Sequence, residues 1–250
     1  MMDSVHALLM RELKTRFGSS KLGYFWAIAE PVAQAAVLGL IFTLLGRHSV
    51  GNIPIALFLF TGILPFKLFA KLLPQLSAGI SANKALFAYR QVAPIDPVIT
   101  RLLIEVATYI IAYVFIMLGL AWLGFDVIPD QLLTLFASNA LLILFGTGLG
   151  VALCSAAQYW KDTPKLLTMV LSPLFYLSGV FYSATMIPPQ YWFLLDWNPI
   201  FHLIELSRDA YFKEYTTPIG SWQYVSSCAL VALALGLSLY RVNRVKFVAQ

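Results

Sequence analysis

VITRLLIEVATYIIAYVFIMLGLAW, residues 98–122, and QLLTLFASNALLILFGTGLGVALCSAA, residues 131–157, are separated only by a turn that closes over Phe125 to Asp130. A helix that crosses a bilayer needs roughly 20 mostly apolar residues. The first run carries Arg101 and Glu105 one turn apart near its start, and the second carries no charge at all. Two such runs joined by so short a turn are two antiparallel membrane spans. The composition extends the reading to the whole chain: 60% of the 250 residues are hydrophobic and only 12% are charged, and mean hydropathy is +0.78. Soluble domains carry about twice that share of charge. The expected fold class is therefore an all-α polytopic membrane protein with six transmembrane helices and little room for a soluble domain.

Outward from that pair, a first span is expected from Tyr24 to Leu45, with Glu30-Pro31 inside it. A second starts near Ile53; Pro65 is expected to interrupt it, and Lys67, Lys71 and Gln75 follow at four-residue steps on one face. A fifth runs from Leu166 to Tyr182, broken by Pro173 and closed by Gly179, and the last from Trp222 to Leu239 before a basic tail. Gly146-x-x-x-Gly150 in the fourth span is a close-packing signal.

Three segments are not spans. Residues 4–17 place Val5, Leu9, Leu13 and Phe17 on one side, joined by Met2 and Met10, so an amphipathic helix in the membrane interface is expected. Arg16 breaks its apolar arc. Residues 83–91, between the second and third spans, form a short helix that Ser81 or Asn83 can cap and that Pro94 and Pro97 stop. Residues 183–221 are too apolar for a solvated loop and too short to span twice. Pro189 and Pro199 suit first helical positions, with Asn198 as a cap, so two half-buried re-entrant helices are expected.

Charge fixes the orientation. Twelve lysines and arginines fall on one side (Arg11 to Lys21, Lys84, Arg90, Arg101, Lys161, Lys165 and Arg241 to Lys246), against three on the other: Arg47, Arg208 and Lys213. Both termini are expected in the cytoplasm. The net charge of +5 flanks hydrophobic runs, which points to loop bias and away from nucleic acid.

Catalytic patterns are missing from the sequence. It has no Gly-x-x-x-x-Gly-Lys-[Ser/Thr] phosphate loop and no Gly-x-Ser-x-Gly elbow, and His6, His48 and His202 are scattered over different segments. The chain reads as a non-enzyme with no metal and no cofactor of its own. Charges inside spans carry more information, because a charge facing lipid costs several kcal/mol. Glu30, Lys67 and Glu105 admit two readings, a polar translocation path or local pairing with snorkelling. Trp26, Trp122, Trp192, Trp197 and Trp222 lie near span ends, where an interfacial belt and a sugar-binding conduit are the alternatives.

Three stretches, RELKTRFGSSKLGYFWAIAEP (11–31), ANKALFAYRQVAPID (82–96) and IPPQYW (187–192) with WNPIFHLIELSRDAYF (197–212), resemble the permease subunit of ATP-driven capsular polysaccharide exporters of the type-2 ABC exporter family. The resemblance runs in order over nearly the whole chain. It implies a single transmembrane domain over 1–250 that forms a homodimer and binds two copies of a separate cytoplasmic ABC ATPase, which holds the ATP and Mg. The cargo it implies is a lipid-linked acidic polysaccharide, exported across the Gram-negative inner membrane. Periplasmic polysaccharide co-polymerase-type and outer-membrane export proteins are the further implied partners. Carried onto these positions, 4–17 is the interface helix and 83–91 the coupling helix, with Asn83, Phe87, Tyr89 and Arg90 towards the ATPase. Residues 183–221 are the periplasmic gate, with Trp192, Trp197, His202, Glu205 and Arg208. Arg11, Arg16, Lys21, Tyr24, Trp26, Glu30 and Lys67 would lie along the substrate path. Lys161-Asp162 stands where related permeases often have Arg-Asp. The rivals are an O-antigen or teichoic acid permease of the same family and, from another class, a membrane enzyme acting on lipid-linked sugars.

Overall fold

A computed structural model describes residues 2–17, 23–46, 49–50, 52–88, 92–160 and 162–248. Its helices are α1 (Met2–Phe17), α2 (Gly23–Leu44), α3 (Ile55–Ser77), α4 (Asp96–Trp122), α5 (Leu132–Ala156), α6 (Thr163–Leu177), α7 (Pro199–Tyr211) and α8 (Trp222–Val248). Short 3-10 helices cover Ser81–Ala88, Ala184–Met186 and Pro189–Leu194, and β1 (Ser49–Val50) pairs antiparallel with β2 (Ile53–Pro54). Among the described residues four helices are long and apolar enough to cross a membrane: Ile55–Ser77, Asp96–Trp122, Leu132–Ala156 and Trp222–Arg244. The apolar part of α2, Ile28–Leu44, and the 15-residue α6 are shorter.

The core is built around α3. Leu57 to Phe66 are buried without a break, and α2, α4, α5, α6 and α7 all pack on this helix. Contrary to the sequence expectation, Pro65 does not interrupt it, and Pro173 does not break α6: both helices continue through their prolines. A proline removes one backbone donor and crowds the preceding turn; for α3, burial from every side holds the helix together regardless.

Small residues set the helix crossings. A Cβ on Gly146 or Gly150 would press on Leu72 or Leu76 of α3, at 3.2 and 2.8 Å. The Gly-x-x-x-Gly signal thus marks the α5–α3 contact. The tighter crossing lies on the opposite side of α5, where a Cβ on Gly148 would stand 2.4 Å from the Ala232 carbonyl carbon. One on Gly236 would stand 2.3 Å from the Gly148 oxygen. Here α5 and α8 meet backbone to backbone.

The connections sort onto two ends. One end gathers α1, the Ser81–Ala88 helix, the start of α4, the end of α5 and the last turns of α8. Arg11 donates to Asn83, Arg101 to Glu12 at 2.9 Å, and Tyr159 to Asn243. The other end gathers the β1–β2 hairpin, the α4–α5 turn and the chain after α7. There Asn52 donates to Glu214 at 2.6 Å, and the Tyr211 hydroxyl to the Val127 carbonyl at 2.5 Å. The last helix is longer than expected: α8 continues through the basic tail, because Asn243 and Phe247 find buried places at the first end.

Two faces differ from their sequence reading. On α1 the docked stripe centres on Leu8 and Glu12, while Met10 is exposed. Glu12 is drawn inward by Arg101, which hydropathy alone cannot anticipate. α7 is buried on nearly all sides rather than half-buried. Its start is as expected: Asn198 Oδ1 accepts from the Ile200 amide at 3.0 Å, with Pro199 at the first helical position.

Candidate functional site

Polar residues one helical turn apart mark the interior of four apolar helices. Glu30 and Gln34 lie on α2, Lys67 and Lys71 on α3, Glu105 and Tyr109 on α4, and Thr168 and Ser172 on α6. Four-residue spacing puts each pair on one helix face, and packing turns the four faces towards one another around Lys67. The Lys67 ammonium donates to Glu30 Oε1 at 2.5 Å, and Lys71 lies 3.9 Å from Glu30 Oε2. Glu30 is half exposed, whereas Lys67 is largely covered. Of the two sequence readings, local pairing describes the geometry of Glu30 and Lys67.

Lys67 stands between two openings. A narrow crevice on one side is lined by Pro31, Leu64, Lys71, Glu105, Thr108 and Tyr109. An open groove of about 360 Å³ on the other is lined by Gln34, Phe66, Ala70, Thr168, Leu171, Ser172, Phe175 and Tyr176. Its aromatic wall is consolidated by edge-on contacts, Phe66 to Phe175 at 5.2 Å and Phe175 to Tyr176 at 5.4 Å. The groove therefore offers a cation, hydroxyls, a carboxamide and apolar ring faces side by side, a surface suited to a ligand with both polar and apolar sides.

The other sequence-predicted residues do not join this cluster. Arg11 is held at the first end by Asn83, whose own amide donates to the Gly79 carbonyl at 2.9 Å. Asn83 and Phe87 are buried within the chain itself. Arg101 does not pair with Glu105 one turn on; it reaches Glu12 on α1 and the Gln75 carbonyl, both at 2.9 Å. Trp26 is exposed on α2. The roles expected of Arg16, Lys21, Tyr24, Tyr89 and Arg90 fall on side chains outside the described residues; Lys161 lies outside them too.

At the second end α7 carries a separate polar node. Arg208, fully buried, donates to the carbonyls of Gly179, Val180 and Tyr182 at 2.6, 2.8 and 2.8 Å. It lies 3.9 Å over the Phe58 ring and 3.6 Å from Glu205. Glu205 accepts from the hydroxyls of Tyr215 at 2.5 Å and Thr217 at 3.1 Å. Burial first, and then this carboxylate, push the Tyr215 hydroxyl above its ordinary range, so it stays a donor. His202 Nδ1 accepts from the Ser221 amide at 3.3 Å and Nε2 faces the Asp196 carbonyl at 2.8 Å, which fixes the Nε2–H tautomer. Trp192 and Trp197 donate to nearby carbonyls, Ile187 and Leu194. Glycine conformation matters here as well. Gly179 has φ +69°, and a Cβ on Gly62 would strike Val180 O at 2.4 Å and Arg208 Nη2 at 2.5 Å. Of the five gate residues expected from the sequence, His202, Glu205 and Arg208 fasten α7 to its surroundings.

The sequence reading missed Gln34, Thr168, Ser172 and Tyr176 of the groove and Glu12 of the brace. The signal for the groove was present: polar pairs at four-residue spacing recur inside apolar runs.

A helical membrane domain with a charged, aromatic-walled groove between its helices is compatible with a transport subunit. The chain belongs to the ABC-2 type transporter family, whose family model matches residues 3–212. It is 36% identical over 241 residues to the polysialic acid transport protein KpsM of Escherichia coli, covering 96% of this chain and 93% of that one. It is 31% identical to the capsule polysaccharide export inner-membrane protein CtrC of Neisseria meningitidis, over 94% of this chain and 89% of that one. The BexB capsule export protein of Haemophilus influenzae is 28% identical, over 95% and 89%.

Proposed function

We propose that this chain is the inner-membrane permease subunit of an ATP-driven exporter that moves a lipid-linked, acidic capsular polysaccharide from cytoplasm to periplasm. The observation that carries the reading is end-to-end similarity to a polysialic acid transport protein and to capsule export permeases. The charged groove beside Lys67 is chemically compatible with such a cargo.

In this reading the whole chain is one transmembrane domain. The shorter helices α2 and α6 join the four long ones to make six spans, with both termini in the cytoplasm. α1 lies at the cytoplasmic interface. Residues 83–91 form the coupling segment towards a separate ATPase, anchored from within by the buried Asn83 and Phe87, and that ATPase holds the ATP and Mg. Residues 183–221 dip into the outer leaflet as the periplasmic gate. Two copies of the chain enclose the conduit, each served by one ATPase, and periplasmic and outer-membrane proteins take the polymer onward.

Deletion of this gene in its own host tests the reading. The expected result is loss of surface capsule, with lipid-linked polymer accumulating inside the cell and restoration by the intact gene. A normal capsule would refute it, as would loss of a different surface polymer in its place.

A further inference from the structure

We propose that the groove beside Lys67 is a subsite for a carboxylated sugar unit, in which Glu30 occupies the lysine pair until a substrate carboxylate takes its place. The inference rests on the polysaccharide reading above and deepens it.

Lys67 comes first: it opens onto both the groove and the crevice, Glu30 holds its ammonium at 2.5 Å, and Lys71 and Glu105 line the crevice. A substrate carboxylate in the groove engages Lys67 only by taking the place of a resident one. Glu105 is buried on α4, whereas Glu30 is half exposed and reaches Lys67 from α2 across the helix contact. Glu30 is therefore the exchangeable partner. The exchange keeps a carboxylate on the largely covered Lys67 throughout, which avoids the cost of leaving a buried charge unpaired.

The groove supplies the rest of a saccharide site. Its volume, about 360 Å³, lies within the range of ligand clefts, about 300–1,000 Å³. Thr168 and Ser172 donate their hydroxyl protons to carbonyls of their own helix, at 2.8 and 3.0 Å. Their oxygen lone pairs thus remain open to sugar hydroxyls, while Gln34 can both donate and accept. Phe175 and Tyr176 set apolar ring faces beside these groups. A neutral sugar would find the rings and hydroxyls but nothing to exchange for Glu30; a carboxylated one engages both.

The test uses the complete exporter with its ATPase in lipid nanodiscs, and two oligosaccharide probes of identical length: a carboxylated oligomer and the same oligomer with its carboxyls reduced to alcohols. Wild type is expected to bind the carboxylated probe at least about 10-fold more tightly. Glu30→Gln should improve that affinity about 3- to 5-fold, since it removes the internal competitor, and should leave the reduced probe unchanged. The charge-neutral double variant Glu30→Gln with Lys67→Gln keeps the pair's shape without its charges and should bind both probes alike. Retained preference in the double variant would overturn the proposal, as would unchanged or weaker carboxylate binding in Glu30→Gln. If the wild-type complex binds both probes equally, the subsite fails while the permease reading stands. If it binds neither and neither stimulates ATP hydrolysis, both fail.

Discussion

Replacing Arg208 by methionine removes one guanidinium from a site with no access to water, and the structure sets the size of the effect. Three carbonyls, those of Gly179, Val180 and Tyr182, lose donors at 2.6–2.8 Å, and Glu205 loses its nearby cation. Hydrogen bonds from a charged donor are worth about 1.5–3 kcal/mol each. Their sum is an upper bound, because the variant no longer has to desolvate a cation. Breaking one side of a buried pair costs about 3–5 kcal/mol, and methionine fills enough of the volume to keep any cavity term small. The expected loss is thus about 3–5 kcal/mol. Arg208→Lys should recover less than half of it, since one ammonium cannot reach three carbonyls spread from Gly179 to Tyr182. SDS-driven unfolding from mixed micelles, followed by tryptophan fluorescence, measures both. A loss below about 1 kcal/mol for Arg208→Met would refute Arg208 as the fastener of α7.

Gly148→Ala should cost at least about 2 kcal/mol in the same assay, since its Cβ would stand 2.4 Å from the α8 backbone. Gly119→Ala has nothing within 4 Å and should be neutral or stabilising by up to about 1 kcal/mol; equal effects would contradict the crossing. Arg101→Gln should undock α1, so that a cysteine replacing the buried Leu8 becomes reactive to an aqueous maleimide; protection equal to that in the parent would count against the Glu12–Arg101 brace. Cysteine in place of the exposed Trp197 should label from the periplasm, and labelling from the cytoplasm alone would reverse the proposed topology.

The positions of α4 and α5 were legible in the sequence because bilayer thickness fixes helix length: both begin and end within two residues of the hydropathy reading. By contrast, α6 ends at Leu177, short of the expected Tyr182, and α8 runs past Leu239 to Val248. Prolines misled the reading. Local rules treat Pro65 and Pro173 as breaks; packing around α3 decides the outcome at Pro65, while α6 continues through Pro173 on an exposed face. Asn198 and Pro199 were readable since a helix cap is a local device. The ion pairs were not. Arg101 has Glu105 one turn away in sequence, yet bonds to Glu12, 89 residues distant, and only the packing of α1 on α4 could reveal that. Lys67 and Glu30 were each identified as costly charges, but their pairing required the α2–α3 contact. The groove was half legible: its polar residues recur at four-residue steps on several helices, but no single helix shows that these faces converge.

The most direct measurement of the central claim is ATP-dependent import into inverted vesicles that contain this chain and its partner ATPase. Lipid-linked acidic polysaccharide is supplied on the exposed cytoplasmic face, and the fraction protected from an added glycosidase is followed over time. The account predicts that protection rises only with hydrolysable ATP and falls when either subunit is omitted. Protection that stays at the ATP-free level, with the chain inserted and the ATPase bound and active, would contradict it.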